Sequence, residues 1–203
     1  MNRLSIAALG ILASIAAACS QAPAEAPSLG GSAWTLDGSA SELSYVTIKA
    51  DTIGEANKFE GLSGSVSADG AAEITIDLAS VSTGIDIRNQ RMRDILFVVA
   101  DNPTASVTAN LDPAAFEAMG LGESIETTID GTLTLKGVEA PFRADVTVTR
   151  TGADSVLAVS DAPVILDAEL LGLGEGLAEL QSLASLPSIS PVVPVSFALT
   201  FTR

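Results

Sequence analysis

Between Ser124 and Thr149 the chain alternates apolar and polar residues over two long runs, a pattern that suits little besides an antiparallel hairpin. Ile125, Thr127, Ile129, Gly131, Leu133 and Leu135 fall on one side of the first run, and Glu126, Thr128, Asp130, Thr132, Thr134 and Lys136 on the other. Lys136-Gly137 supplies the turn, and Phe142, Ala144, Val146 and Val148 then alternate with Arg143, Asp145, Thr147 and Thr149. Side chains of a strand point to opposite faces in turn, so a period of two marks strands with one face buried.

The same period recurs through most of the chain. Ala72 to Leu78, Thr104 to Leu111 and Val193 to Thr202 alternate cleanly, and shorter runs at Val156 to Ser160 and Val164 to Asp167 fit strands as well. A first strand follows Trp34, with Asp37-Gly38 as punctuation, and Asn57 to Ser67 carries Gly61 and Gly64 where a curved sheet bulges or bends. About eight strands result. The expected fold class is all-β, an antiparallel sandwich or closed barrel, and closure has the merit of removing exposed sheet edges. An eight-stranded barrel can be filled by side chains or left hollow for one small ligand. Ala105, Ala109, Thr127, Gly131 and Ala144 on the inward faces would leave room, although small residues also suit the taper of a solid barrel.

Three stretches break the alternation. Ser82 to Ala105 gathers Arg88, Arg91 and Arg93 directly before Ile95, Leu96, Phe97, Val98 and Val99, an amphipathic crossover near residues 88–99. Asp112-Pro113 reads as an N-cap and first helical residue, with the helix ending around Gly120. Leu177, Leu180, Leu183 and Leu186 recur every three residues between Gly176 and Pro187, which predicts a helix over residues 176–186 whose leucines serve packing.

The N-terminal 18 residues have one positive charge at Arg3 and an apolar run from Leu4 to Ala18, the form of a secretory signal peptide. Ala16-Ala17-Ala18-Cys19 resembles a bacterial lipobox, which makes Cys19 the candidate lipid-attachment site. Conventional cleavage before a free thiol is the alternative. Ser20, rather than aspartate, favours the outer membrane, so the expected location is the periplasm with a lipid anchor in that membrane. Residues 19–32, rich in Pro, Ala, Gly and Ser, read as a tether, and residues 33–203 as the folded domain. Removing residues 1–18 leaves nine basic and 25 acidic residues, a net charge of −16. Membrane attachment therefore rests on acyl chains rather than on attraction to anionic lipid.

Composition excludes several functions. A formal charge of −15 opposes nucleic-acid binding, which needs a basic stripe. The chain has no histidine, which removes Ser-His-Asp and Cys-His catalysis and histidine-based metal sites. Glu126 and Asp130 would stand about 13 Å apart on one strand, beyond the spacing of paired catalytic carboxylates. Neither enzymatic activity, a metal nor a resident cofactor is expected.

Several segments resemble the YceI-like polyisoprenoid-binding family. Thr83-Gly84 through Arg88, Arg93, Phe97 and Pro103, followed by Thr104 to Val107, is similar to its hallmark segment. Gly131-Thr132-Leu133-Thr134-Leu135-Lys136-Gly137-Val138 followed by Pro141 resembles its second signature. Trp34 with Asp37 and Ser41 fits the opening, and Phe59-Glu60-Gly61 the second-strand region. The chain departs from the pattern at Asn89 and Arg91, at Phe97-Val98 in place of paired phenylalanines, and in a longer, more helical last third. The resemblance implies a lipocalin-like antiparallel eight-stranded barrel, periplasmic or secreted, whose apolar tunnel holds an isoprenoid chain such as a quinone tail.

On that reading Arg88 and Arg93 meet a polar head group at the tunnel mouth, Ile95 to Val99 line the entrance, and Arg91 pairs with surface carboxylates. Trp34, Phe59, Phe97, Phe142 and Phe197 are candidates for ligand contact, or else core residues. The expected function is binding or carrying an apolar isoprenoid or similar lipid in the bacterial envelope. The alternative is a non-enzymatic assembly module with a solid β core.

Overall fold

The computed structural model describes residues 28–203; the expected signal peptide, Cys19 and the tether as far as residue 27 lie outside the described residues. Twelve strand segments form one antiparallel sheet. They are β1 (Trp34–Leu36), β2 (Glu42–Lys49), β3 (Ile53–Phe59), β4 (Leu62–Val66), β5 (Ala71–Asp77), β6 (Val81–Ser82), β7 (Thr104–Asn110), β8 (Ser124–Leu135), β9 (Val138–Gly152), β10 (Ser155–Ser160), β11 (Val164–Asp167) and β12 (Val192–Thr202).

These twelve segments make eight staves. β1 and β2 form one broken stave, as do β3 and β4, β5 and β6, and β10 and β11. β4 pairs with β1 while β3 pairs with β2, and β12 meets β10 and β11 on one side and β1 and β2 on the other. Each stave therefore pairs with its successor in the chain, and the eighth returns to the first. The result is a closed eight-stranded up-and-down barrel, in which only the short segments β6 and β11 pair on one side alone.

The breaks have local causes. Asp37 accepts hydrogen bonds from the amides of Ser39 (3.0 Å) and Ala40 (3.3 Å), winding one 3-10 turn between β1 and β2. Asp77 does the same for Ala79 (2.9 Å) between β5 and β6. On the stave between them Gly61 interrupts β3 and β4, and a Cβ there would stand 2.9 Å from Cβ of Asp77. Three neighbouring staves thus turn together at one level, bending the wall. The Lys136-Gly137 hairpin forms as expected, both residues adopting positive φ.

Strand direction sorts the connections onto two ends. One end carries the β2–β3 and β8–β9 hairpins, the β6–β7 crossover and the β11–β12 connection. The crossover contains α1 (Asp86–Arg91) and a wider π-type turn over Met92–Leu96; the last connection contains α2 (Gly174–Leu183). α2 packs on the Met92–Leu96 turn so closely that a Cβ on Gly176 would lie 3.0 Å from Cα of Leu96. This is the helical end. The helix expected over residues 176–186 begins two residues earlier and stops at Leu183. Its leucines divide, with Leu177 and Leu180 packed inward and Leu183 exposed.

At the opposite end the helix expected after Asp112 is one 3-10 turn, Pro113–Ala115, capped by Asp112 through the amide of Ala114 (3.1 Å). Beyond that turn the connection meets Arg150, which is 1% exposed and donates to the carbonyls of Met119 (2.7 Å), Gly152 (3.2 Å) and Ala153 (2.9 Å). Those bonds hold the connection against the β9–β10 hairpin and satisfy a buried charge. Within the segment expected as a tether, Leu29 is already buried against the barrel, and Arg203 donates to the carbonyl of Ser28 (2.8 Å) while lying 5.0 Å over the Trp34 ring.

Candidate ligand-binding site

The inward faces of the staves do not fill the barrel. A cavity of about 350 Å³ runs through it, from Leu29, Phe116 and Met119 at the far end to Met92, Leu96, Leu177 and Ile189 beneath the helices. Packing voids in protein interiors are close to the size of one water molecule, whereas this volume lies in the range of ligand sites. Alternation supplies the lining. Leu43, Tyr45 and Thr47 come from β2, Ala105, Val107 and Ala109 from β7, and Val193, Val195, Phe197, Leu199 and Phe201 from β12. Alanines at 72, 105, 109, 144 and 158 stand where larger side chains would close the space.

All five aromatic candidates, Trp34, Phe59, Phe97, Phe142 and Phe197, face this lumen. Phe142 lies over Gly131 on the neighbouring strand, where a Cβ would come within 2.6 Å of the ring, so the glycine permits the ring's position. Tyr45, Phe59 and Phe97 make a run of tilted rings with centroids 5.4 and 5.8 Å apart. The Tyr45 hydroxyl donates to Sδ of Met92 (3.6 Å), and burial pushes its pKa well above the ordinary tyrosine value, so it stays a neutral donor.

A second cavity of about 250 Å³ lies at the helical end, between α1 and α2, and shares Thr47, Met92, Leu96, Leu177 and Ile189 with the lumen. Its wall carries Lys49, Arg88 and Arg91, together with Asn57 and Thr83, and no carboxylate. Glu55 sits behind it, bridging Lys49 and Arg88. The hydrogen bond from Lys49 holds the Glu55 carboxyl below its ordinary range, with the charge of Arg88 acting in the same direction against partial burial. Arg88 also donates to the carbonyl of Thr83 (2.6 Å), and Asn89 accepts from the amide (2.8 Å) and hydroxyl (2.6 Å) of Thr83, which fixes the start of the crossover. Asn57 donates to Thr47 Oγ1 and to the Glu55 carbonyl, both at 3.1 Å. Nε of Arg88 and Oδ1 of Asn57 are buried and have no hydrogen-bond partner among the described residues. Buried polar atoms are rarely left so.

The sequence candidates therefore separate. Arg88 lies on the second cavity, but its carboxylate partner is Glu55, the pairing expected of Arg91. Arg91 lines the cavity and forms no ion pair among the described residues. Arg93 lies on neither cavity. Of Ile95 to Val99, Leu96 and Phe97 line the lumen. Sequence reading missed Tyr45, Met92, Lys49 and Asn57; the alternation Leu43, Tyr45, Thr47 was the available signal for the first.

An apolar lumen inside a closed antiparallel barrel, with a polar chamber at one end, defines a lipocalin-like binding barrel. Residues 34–201 match the YceI-like domain model, and the chain belongs to that family. It is similar to the structure of a polyisoprenoid binding domain from Saccharophagus degradans implicated in plant cell wall breakdown, with 38% identity and a TM-score of 0.81 over 84% of this chain and 98% of that one. BcnA of Burkholderia cenocepacia (20% identity, TM-score 0.61, 81% of this chain and 98% of that one) and the YCEI protein of Campylobacter jejuni (16%, 0.51, 72% and 84%) share the fold. No functionally curated protein matches the chain.

Proposed function

We propose that this protein binds a polyisoprenoid or a similar single-chain lipid, the tail in the lumen and the polar head in the chamber at the helical end. The observation that carries the reading is the lumen itself, about 350 Å³ of almost wholly apolar space. Water in so apolar a space finds few hydrogen-bond partners, and a hydrocarbon chain that takes its place gains about 0.8 kcal/mol for each CH₂ buried. The similarity to the Saccharophagus domain supports the same ligand class. A solid assembly module would not maintain such a space.

Arg88 Nε offers a donor to the head group, and Asn57 Oδ1 an acceptor. Lys49 and Arg91 add positive charge to the chamber wall. No chemical step is assigned to the site, and the protein acts as a carrier or reservoir rather than an enzyme. Its place is the bacterial envelope, held at the outer membrane through Cys19. The chain enters the barrel at Leu29, away from the chamber, so a tether would leave the chamber unobstructed. Cys19→Ser should move the protein to the soluble fraction.

Ala105→Phe tests the lumen. Ala105 is buried and faces the cavity opposite Ile76. A phenyl ring there should fill the space and lower geranylgeraniol uptake by about tenfold or more, with the far-UV circular dichroism of the barrel retained. Unchanged uptake would place the ligand elsewhere.

A further inference from the structure

Nine large hydrophobic side chains are exposed among the described residues, and seven of them lie at or next to the helical end: Ile53, Ile85, Ile87, Ile165, Leu170, Leu183 and Val192. Leu121 lies at the opposite end and Val159 on the wall. The seven are also confined in angle. Ile53 begins the second stave, Ile85 and Ile87 follow the third, Ile165 and Leu170 belong to the end of the seventh, and Val192 opens the eighth. Leu183 lies on the connection between the last two. In barrel order these are the seventh and eighth and the second and third staves, on either side of the first, which contributes none. The second cavity is on the same arc, with Ile85 and Ile87 in its wall. Apolar side chains gathered around an opening mark an interaction surface.

We propose that this arc is a membrane-docking surface through which the barrel exchanges its ligand directly with a lipid bilayer. The inference rests on the lipid-binding reading. A long apolar chain partitions into bilayers, and its passage through water costs the hydrophobic free energy of every exposed CH₂. Aliphatic tips that enter the bilayer around the cavity opening give the chain an apolar route from one to the other. A protein partner is the weaker occupant. Interface hot spots are dominated by Trp, Tyr and Arg; the single Trp and single Tyr of this chain both face the lumen, and of the arginines on the arc Arg88 and Arg91 are turned to the second cavity, Arg88 held there by Glu55. Asp51, Asp86, Glu169, Glu175 and Glu179 stand on the same connections, so docking draws on apolar insertion and gains nothing from anionic lipid.

Ile53→Ser/Leu170→Ser/Leu183→Ser removes three members of the arc that touch neither cavity. The background is the full chain with Cys19→Ser, so that no acyl group contributes. Two measurements are made with phosphatidylcholine vesicles: flotation of the protein, and the rate at which retinol, a fluorescent isoprenoid, passes from vesicle to protein. The parent should float, and its transfer rate should rise in proportion to vesicle concentration. The triple variant should lose flotation and transfer retinol about tenfold more slowly, with the same final occupancy when retinol is supplied from detergent. A parent that does not float, a variant that floats equally, or a rate independent of vesicle concentration overturns the docking surface. So does a parent that is dimeric while the variant is monomeric, since a second copy would then cover the arc. A parent that floats but takes up no retinol from either source contradicts the lumen reading and leaves the membrane contact established.

Discussion

Glu55 is the hinge of the chamber's electrostatics, because one carboxylate holds Lys49 of β2 and Arg88 of α1 together. Its folded-state pKa lies below the ordinary value of 4.5. A depressed carboxylate stabilises the fold fully above its unfolded pKa, and that contribution is lost as pH falls through the folded value. Because the group is partly exposed, Glu55→Gln should cost no more than about 1 kcal/mol at neutral pH. The difference between wild type and variant should then shrink below pH 4.5, which thermal melts across a pH series would show; a constant difference down to pH 2 would contradict the bridge. At this scale Phe142 and Phe197 were legible, because alternation decides which side of a strand faces inward, whereas Phe97 lies on the crossover, where no alternation places it. Nor were the arginines legible. Arg88 and Arg91, three apart, share a helical face, whereas Arg93 lies about 140° around from Arg88 at helical spacing. The wider turn, with the Phe97 amide bonded to the Met92 carbonyl at 2.9 Å, carries the chain further from helical phase.

Among the elements, α2 and the Met92–Leu96 turn are the two covers of the helical end, and Gly176 is where they touch. A Cβ at that position would meet Cα and Cδ1 of Leu96 and the carbonyl of Ile95 at 3.0 to 3.2 Å, mostly backbone that cannot swing aside. Gly176→Val should therefore displace α2, destabilise by about 1 to 3 kcal/mol, and speed hydrogen exchange over residues 174–183 and ligand release together. Protection of α2 equal to wild type would show that the contact does not hold the end closed. Strand elements were readable from period two and turns from Asp37-Gly38, Gly61 and Lys136-Gly137. The helices were less so. Gly174 to Leu183 starts without a side-chain cap, and the stretch after Asp112-Pro113 has a sound cap yet makes one 3-10 turn, in a connection pinned at the Met119 carbonyl by a buried arginine from a distant strand. Local signals cannot report a tertiary hydrogen bond.

For the whole molecule, the strand count and the liability of open edges allowed a sandwich or a closed barrel, the family resemblance pointed to the barrel, and the interior volume was not legible. Small inward residues serve a solid tapering barrel as well as a hollow one, so their positions alone do not decide between the two. A hollow apolar barrel makes ligand and stability inseparable, since whatever binds the native state alone raises its unfolding free energy. The direct test is organic extraction and mass spectrometry of the protein purified from its native envelope without added lipid. A single class of isoprenoid or similar long-chain lipid should be recovered at about one molecule per barrel, and stripping it should lower the melting temperature until it is restored. A lipid-free protein with an unchanged melting temperature after extraction would contradict the claim that this barrel is built to hold a lipid.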